Sequence, residues 1–161
     1  MATMPANIVV GTFADNVGSQ FGAQRSTDTT VIFTQIQPVC TIETRAGEIL
    51  VSVTDQGAQS LADVNYRCNS PNGFTRRISS ENGGELRRGN QGIPYFLSQS
   101  GDATLAFAPV QLTTPVTDGV TSSAALSVGS SGFLKVEVPQ VPQGLIAGEY
   151  RDLISIEITP N

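Results

Sequence analysis

Apolar and polar residues alternate along this chain in short runs, and no stretch of ten or more residues carries apolar positions at helical spacing. Gly, Pro and Asn-Gly pairs interrupt the runs at short intervals. The clearest run covers residues 150–159, where Ile154, Ile156 and Ile158 share one face and polar residues share the other. About eight to ten short strands joined by turns predict an all-β chain, and a β-sandwich is the natural architecture.

Other runs predict further strands. Residues 39–44 and 63–68 carry the two cysteines, residues 133–138 predict a strand, and residues 113–132 predict a loop or a weak strand. A strand is also predicted over residues 47–53, where Ile49, Val51 and Val53 are in one phase. Arg76 occupies an inward phase of residues 74–79, so it either reaches the sheet rim, pairs with an acid or marks a bulge.

The N-terminal part differs from the rest of the chain. An apolar run at residues 8–13 is followed by a polar stretch at 14–28 that has the composition of a linker. A β-branched run at 29–36 comes next, and Pro38 interrupts it. We therefore divide the chain into an N-terminal extension, residues 1–38, and a β-sandwich domain, residues 39–161.

Composition excludes several classes of function. The chain has 161 residues, no His, and only 14% charged residues. Without His, and with scattered acids and no phosphate-binding or nucleophile motif, we expect no enzyme, no metal and no cofactor. The net charge of −5 argues against nucleic-acid binding, and no apolar run is long enough to span a membrane. The pairs Arg76-Arg77 and Arg87-Arg88 are expected to be solvated charges rather than a patch for an anionic glycan.

Two cysteines, Cys40 and Cys68, are present. In a short chain of extracellular character they predict a disulfide, although two separate buried thiols are the alternative. Such a bridge closes a loop of about 29 residues and contributes roughly 3–4 kcal/mol.

The final strand has no residues within it that blunt its edge, and no further strand follows it in the sequence. One physical solution is β-augmentation, in which the N-terminal strand of one copy completes the sheet of the next. That contact is head-to-tail and generates a filament unless it closes. The alternative is that the N-terminal strand pairs within its own subunit.

Three segments carry a resemblance to a known family. A cysteine follows an apolar strand in Ile-Gln-Pro-Val-Cys-Thr-Ile at residues 36–42. A second strand ends in a cysteine and a turn in Val-Asn-Tyr-Arg-Cys-Asn-Ser-Pro-Asn-Gly-Phe-Thr at 64–75. Ala-Gly-Glu-Tyr-Arg-Asp-Leu-Ile-Ser-Ile at 147–156 is close to a closing Gly-x-Tyr-x-Asp pattern. Over roughly residues 30–161 the chain resembles the spore coat protein U domain, the subunit fold of archaic chaperone–usher pili.

The resemblance implies an incomplete immunoglobulin-like β-sandwich that lacks its last strand and is completed by a donor strand from a neighbouring subunit. It implies that Cys40 and Cys68 form the family's disulfide, and that a segment before Cys40 is donated. The implied donor residues are Thr30, Ile32, Thr34 and Ile36. Two of these four are Thr, and the segment before them is longer than a subunit needs, so a second candidate donor has Ile8, Val10 and Phe13 as its apolar residues.

The expected acceptor groove lies beside Ile154, Ile156 and Ile158, and Tyr150 and Asp152 are expected to form a structural corner that fixes the start of this strand. The resemblance implies a pilus subunit on the bacterial surface that supports adhesion or biofilm formation. Its partners would be identical subunits, a periplasmic chaperone and an outer-membrane usher. The alternatives are a secreted, self-complete sandwich that binds carbohydrate or another surface ligand, and a coat or capsid protein.

Overall fold

Short β-strands dominate the part of the chain that the computed structural model describes, which is residues 31–44, 47–55 and 57–161. The prediction of an all-β chain is confirmed. The strands are β1 (Cys40–Thr44), β2 (Gln59–Cys68), β3 (Phe74–Ser80), β4 (Glu85–Arg88), β5 (Gln91–Pro94), β6 (Phe96–Gly101), β7 (Phe107–Val110), β8 (Val116–Val120), β9 (Ser130–Glu137) and β10 (Ile154–Pro160), with one helix, α1 (Ala124–Val128).

The strands form three antiparallel sheets. The largest has the order β1-β2-β9-β6-β7, the second has the order β10-β3-β8, and β4 pairs with β5. The chain divides into two units, Met1–Gln37 and Pro38–Asn161, and all of these strands belong to the second. Within the second unit, both larger sheets contribute to one hydrophobic core, for example through Tyr66 of β2 and Phe74 of β3.

The disulfide prediction is confirmed, because Cys40 and Cys68 are bonded. These two residues are directly opposite each other in the β1–β2 ladder. Next to them, Asn69 donates its backbone N–H to the carbonyl of Val39 and accepts the Val39 N–H with its side chain. The disulfide and these bonds attach the first residues of β1 to β2.

Residues 47–53 form no strand, so that prediction is wrong. The side-chain amide of Gln59 accepts the Ser52 N–H at 2.8 Å and donates to the Ser52 carbonyl at 2.6 Å. A side chain therefore takes the place that a neighbouring strand would occupy in a ladder. Of the three residues in the predicted phase, Val51 and Val53 pack against the core, whereas Ile49 is 43% exposed.

Residues 113–132 contain more regular structure than the sequence predicted. Strand β8 lies within them, and α1 follows after Ser123, whose hydroxyl accepts the Leu126 N–H at 3.2 Å as an N-cap. Leu126 is fully buried and joins the hydrophobic core. A helix of five residues is too short to produce a recognisable period, which is why the apolar pattern did not reveal it.

Candidate functional site: an apolar groove beside strand β10

Strand β10 has one paired edge. It pairs with β3 over its whole length, with Ile154 opposite Ser80 and Ile156 opposite Ile78. Among the described residues no strand pairs with its other edge. A row of unpaired N–H and C=O groups is therefore available to a further strand.

The side chains of β10 alternate as the sequence predicted. Ile154, Ile156 and Ile158 are half-buried and pack against the core, while Ser155 and Glu157 are exposed. Three large aliphatic side chains in a row that remain only half-buried leave apolar surface that a further element would cover.

A cavity of about 350 Å³ lies beside this strand, and we call it the groove. Ile154 and Ile156 line it from β10, Ile42 from β1, and Leu134 and Val136 from β9. Ile158 packs against the core but does not line the groove. The groove thus lies where residues of both larger sheets meet, and its walls are mainly aliphatic.

Residues 47–53 also line the groove, through Gly47, Ile49 and Val51, and we call them the strap. Ile49 is 43% exposed and Leu50 is 98% exposed, although both are large aliphatic residues. Glu48 at the start of the strap accepts a hydrogen bond from Arg151 at 2.7 Å, just before β10. The strap and the start of β10 therefore both contact the same groove.

The carboxylate of Asp152 holds the start of β10. One of its oxygens accepts from the Ser80 and Tyr95 hydroxyls at 2.5 and 2.6 Å, and the other accepts the backbone N–H groups of Asn82 and Leu153. Burial, together with the hydrogen bond to Asp152, raises the pKa of the Tyr95 hydroxyl well above its ordinary value. With four donors on its two oxygens, Asp152 has a structural role at the end of the groove.

Tyr150 is the other residue of the predicted corner. Its hydroxyl is 2.9 Å from the carbonyl of Ile146, four residues earlier, and 2.7 Å from the side-chain oxygen of Gln91. The Gln91 amide also bonds the carbonyl of Gly144 and the N–H of Ile146. A tyrosine that returns to the backbone a few residues upstream is the geometry of a tyrosine corner.

Arg76 is fully buried, and the sequence did not reveal its partner. It lies opposite Asp118 in the β3–β8 ladder, and its guanidinium bonds both carboxylate oxygens of Asp118. A further N–H donates to the Leu105 carbonyl at 2.9 Å, and the rings of Tyr66 and Phe107 lie 5.6 and 5.2 Å from the guanidinium carbon. Of the three outcomes considered for Arg76, pairing with an acid is the observed one.

This arrangement changes the pKa of two groups. Burial acts to lower the pKa of Arg76, but the hydrogen bond to Asp118 and the contact with Tyr66 outweigh it, so the pKa is raised. Burial raises the pKa of Tyr66, whose hydroxyl donates to Gln99 at 2.9 Å. The Nε2 atom of Gln99 is the one buried side-chain polar atom without a partner in the described part of the chain. Arg76 therefore belongs to an internal network and is not available at the surface.

Two of the other arginines in the sequence pairs, Arg77 and Arg87, are each paired with an acid. Arg77 pairs with exposed Glu157 at 3.2 Å, and exposed Arg87 pairs with half-buried Glu85 at 2.9 Å. Residues 31–44, 47–55 and 57–161 contain no cluster of three or more potential metal ligands. No helix among them has the length and apolar character needed to cross a membrane.

The predicted donor residues are only partly within the described chain. Ile32, Thr34 and Ile36 are exposed and belong to no strand, and neighbouring Val31 and Phe33 are also exposed. The remaining donor candidates lie outside the described residues, namely Thr30, Ile8, Val10 and Phe13.

Comparison with protein families and with curated sequences identifies no relative. No protein-family model matches the chain, and a search of curated protein sequences finds no match. The groove, the corner and the buried Arg76 network are therefore interpreted from their own geometry.

Proposed function

We propose that this protein is a non-enzymatic structural subunit of a bacterial surface filament. In this proposal the described domain is an immunoglobulin-like β-sandwich that lacks one strand. A segment from the N-terminal part of one copy enters the groove of the next and pairs with the free edge of β10. The proposal rests on the open aliphatic groove together with the unpaired edge of β10, the strand that lines it.

The energetics favour an added strand. Ile154 and Ile156 are half-buried, and complete burial of a large aliphatic side chain contributes about 1.5–3 kcal/mol relative to exposure. Main-chain hydrogen bonds to β10 add affinity in the manner of other β-augmentation complexes. Ile32 and Ile36, which share the phase of the first candidate donor, are exposed and supply aliphatic side chains for the groove.

An open groove of this kind is also an aggregation hazard before assembly. This supports the further proposal that a periplasmic chaperone occupies the groove and an outer-membrane usher directs assembly on the cell surface. A role in adhesion or biofilm formation would follow from the filament.

The test uses one variant that lacks the donor segment and another in which the acceptor groove is changed. Deletion of residues 1–36 removes every candidate donor, and Ile156→Asp places a charge on the groove face of β10. Ser155→Asp is the matched control, because Ser155 is exposed on the other face of the same strand. We expect the full chain and Ser155→Asp to give SDS-resistant ladders and fibres by negative-stain microscopy, and both other variants to remain monomeric.

Mixing provides a control for misfolding. The deleted chain retains its groove, and Ile156→Asp retains its donor segment, so a mixture should give one-to-one heterodimers and no longer chains by light scattering. If the full chain is a monomer that deletion of residues 1–36 does not affect, the proposal is wrong and a self-complete binding domain is favoured. Closed shells in place of fibres would favour a coat or capsid protein.

A further inference from the structure

Strand β8 is the second edge strand of the sheet that contains β10. The sheet has the order β10-β3-β8, and among the described residues no strand pairs with the outer edge of β8. In the same part of the chain, no backbone hydrogen bond reaches residues 116–120 outside the ladder with β3. This edge therefore presents unpaired N–H and C=O groups, as the edge of β10 does, and its backbone is equally open to another strand.

The inward side chains of the two edge strands differ in chemistry. On β10 the inward phase holds three isoleucines, whereas on β8 it holds a charged residue, Asp118, between two valines. The strand register places Ile158, Arg76 and Asp118 in one row across the sheet. In that row the guanidinium of Arg76 bonds both carboxylate oxygens of Asp118. The charge of the sheet interior is therefore concentrated on the β8 side, while the β10 side is aliphatic.

Arg76 also joins β8 to an edge strand of the other sheet. Strand β7 is at the end of the five-stranded sheet. The guanidinium donates to the Leu105 carbonyl at 2.9 Å, just before β7, and lies 5.2 Å from the ring centre of Phe107 in β7. Strand β7 contains Pro109, which has no N–H to offer to a neighbouring strand. The β7–β8 side thus has polar groups where the groove side has aliphatic ones.

We infer that the Arg76–Asp118 pair keeps other strands off the β8 edge and so restricts assembly to the groove beside β10. An inward-pointing charge is one device by which edge strands avoid pairing with other chains. A strand added at β8 would cover Asp118, whose side chain is 36% exposed, and would remove the water that solvates it. The partner excluded in this way is β8 of a second copy, because two identical edges can pair about a two-fold axis. The inference rests on the proposed function for the groove as the remaining docking edge.

An apolar pair at these two positions would pack in the same space but would not protect the edge. Well-packed apolar residues of similar volume often replace a buried ion pair without loss of stability. Arg76→Met with Asp118→Leu would give β8 three aliphatic inward residues beside a free edge, which is the present state of β10. Asp118 is therefore a specificity-determining residue for assembly, and Arg76 is a positioning residue that holds its carboxylate.

Sedimentation velocity on the full chain tests the inference. All variants carry Ile156→Asp, which blocks the groove, so that any association has to arise elsewhere. Adding Arg76→Met and Asp118→Leu should give closed dimers, with self-association about tenfold tighter or more than in the chain that carries Ile156→Asp alone. The matched control adds Arg77→Met and Glu157→Leu, the same new residues at an exposed ion pair one position along β3. This control should remain monomeric.

A lysine on β8 itself identifies the contact surface. Gly119 is exposed, and a Cβ at this position meets nothing within 4 Å, so Gly119→Lys fits without a collision. Lysine is another residue that protects edge strands, and Gly119→Lys should return the dimeric variant to a monomer. Ser131→Lys is the control for charge, because Ser131 is exposed on β9, which is paired at both edges. It should leave the dimer intact.

Three results would overturn the inference. They are a monomeric Arg76→Met, Asp118→Leu variant that still unfolds cooperatively in urea, a dimer that Gly119→Lys does not dissociate, and equal association of the control variant. If the first variant does not unfold cooperatively, Arg76→Leu with Asp118→Val is judged by the same criteria, since valines already flank position 118 in the inward phase. None of these measurements requires filaments. A wild-type chain that forms no filaments therefore overturns the filament proposal and leaves the result at the β8 edge decisive for the inference.

Discussion

The buried pair of Arg76 and Asp118 provides the sharpest test of the internal architecture. Asp118→Ala removes two charge-assisted hydrogen bonds from a guanidinium that is 0% exposed. Bonds of this type contribute about 1.5–3 kcal/mol each, and breaking a buried ion pair on one side costs about 3–5 kcal/mol. The side chain of Asp118 is 36% exposed, and Leu105 still accepts from Arg76, so the lower end applies. We expect a loss of about 3 kcal/mol.

The assay is urea unfolding at neutral pH with the disulfide intact. The matched control is Arg77→Ala, one residue along β3, where an exposed pair with Glu157 should contribute less than about 1 kcal/mol. Arg76→Met combined with Asp118→Leu should recover most of the loss, because apolar residues of similar volume often replace a buried pair at little cost. A loss for Asp118→Ala no greater than that of the control would refute the reasoning.

Three further predictions concern other parts of the fold. Replacing Cys40 and Cys68 by Ser should lower the free energy of unfolding by about 3–4 kcal/mol in urea titrations. Gly73→Ala should cost at least about 1–2 kcal/mol in thermal unfolding, because Gly73 has a φ of 74° and a Cβ there would collide with the carbonyl of Val120. Hydrogen bonds, chiefly from the Ser130 hydroxyl, lower the pKa of Asp102, so stability from Asp102 is present above its ordinary pKa and lost as pH falls through the lowered value. Asp102→Asn should therefore be less stable than wild type at neutral pH and converge with it at acid pH.

Each of these has a contradicting result. The cysteine prediction fails if the double Ser variant is as stable as the disulfide-bonded wild-type protein. Reduced wild-type protein, which keeps both thiols, is the control for exchanging the buried Cys68 thiol for a hydroxyl. Gly89→Ala is the control for Gly73, because Gly89 has a φ of 59° but open space around a Cβ, and equal losses at both sites would exclude the collision with Val120. A stability difference for Asp102→Asn that stays constant with pH would contradict the linkage argument.

The sequence predicted the strands that alternate strongly. Strand β10 was predicted because one face is consistently apolar and the other polar, a pattern that depends on local residues alone. The disulfide followed from the presence of two cysteines in a short chain. These features could be predicted because no knowledge of strand pairing is needed to recognise them.

Features that depend on pairing could not be predicted. Asp118 is 42 residues from Arg76, and only the register of β3 against β8 brings them together. The strap has the periodicity of a strand, but the amide of Gln59 occupies the position that a neighbouring strand would have. Such a contact cannot be predicted from periodicity. The groove combines residues from separate sheets, so the sequence predicted its β10 side but not Ile42 or Val136.

The covalent link between β1 and β2 has a mechanical consequence. A tension applied through the chain before Pro38 loads the hydrogen bonds between Val39 and Asn69 and then Cys40, and from there it passes through the sulfur atoms to Cys68. The hydrogen bonds between β1 and β2 are therefore not broken one after another, because the force is transferred to β2. Strand β2 is paired with β9 at its other edge. A chain that is pulled from its N-terminal side would resist extension through a covalent bond at the point where a sheet edge is otherwise weakest.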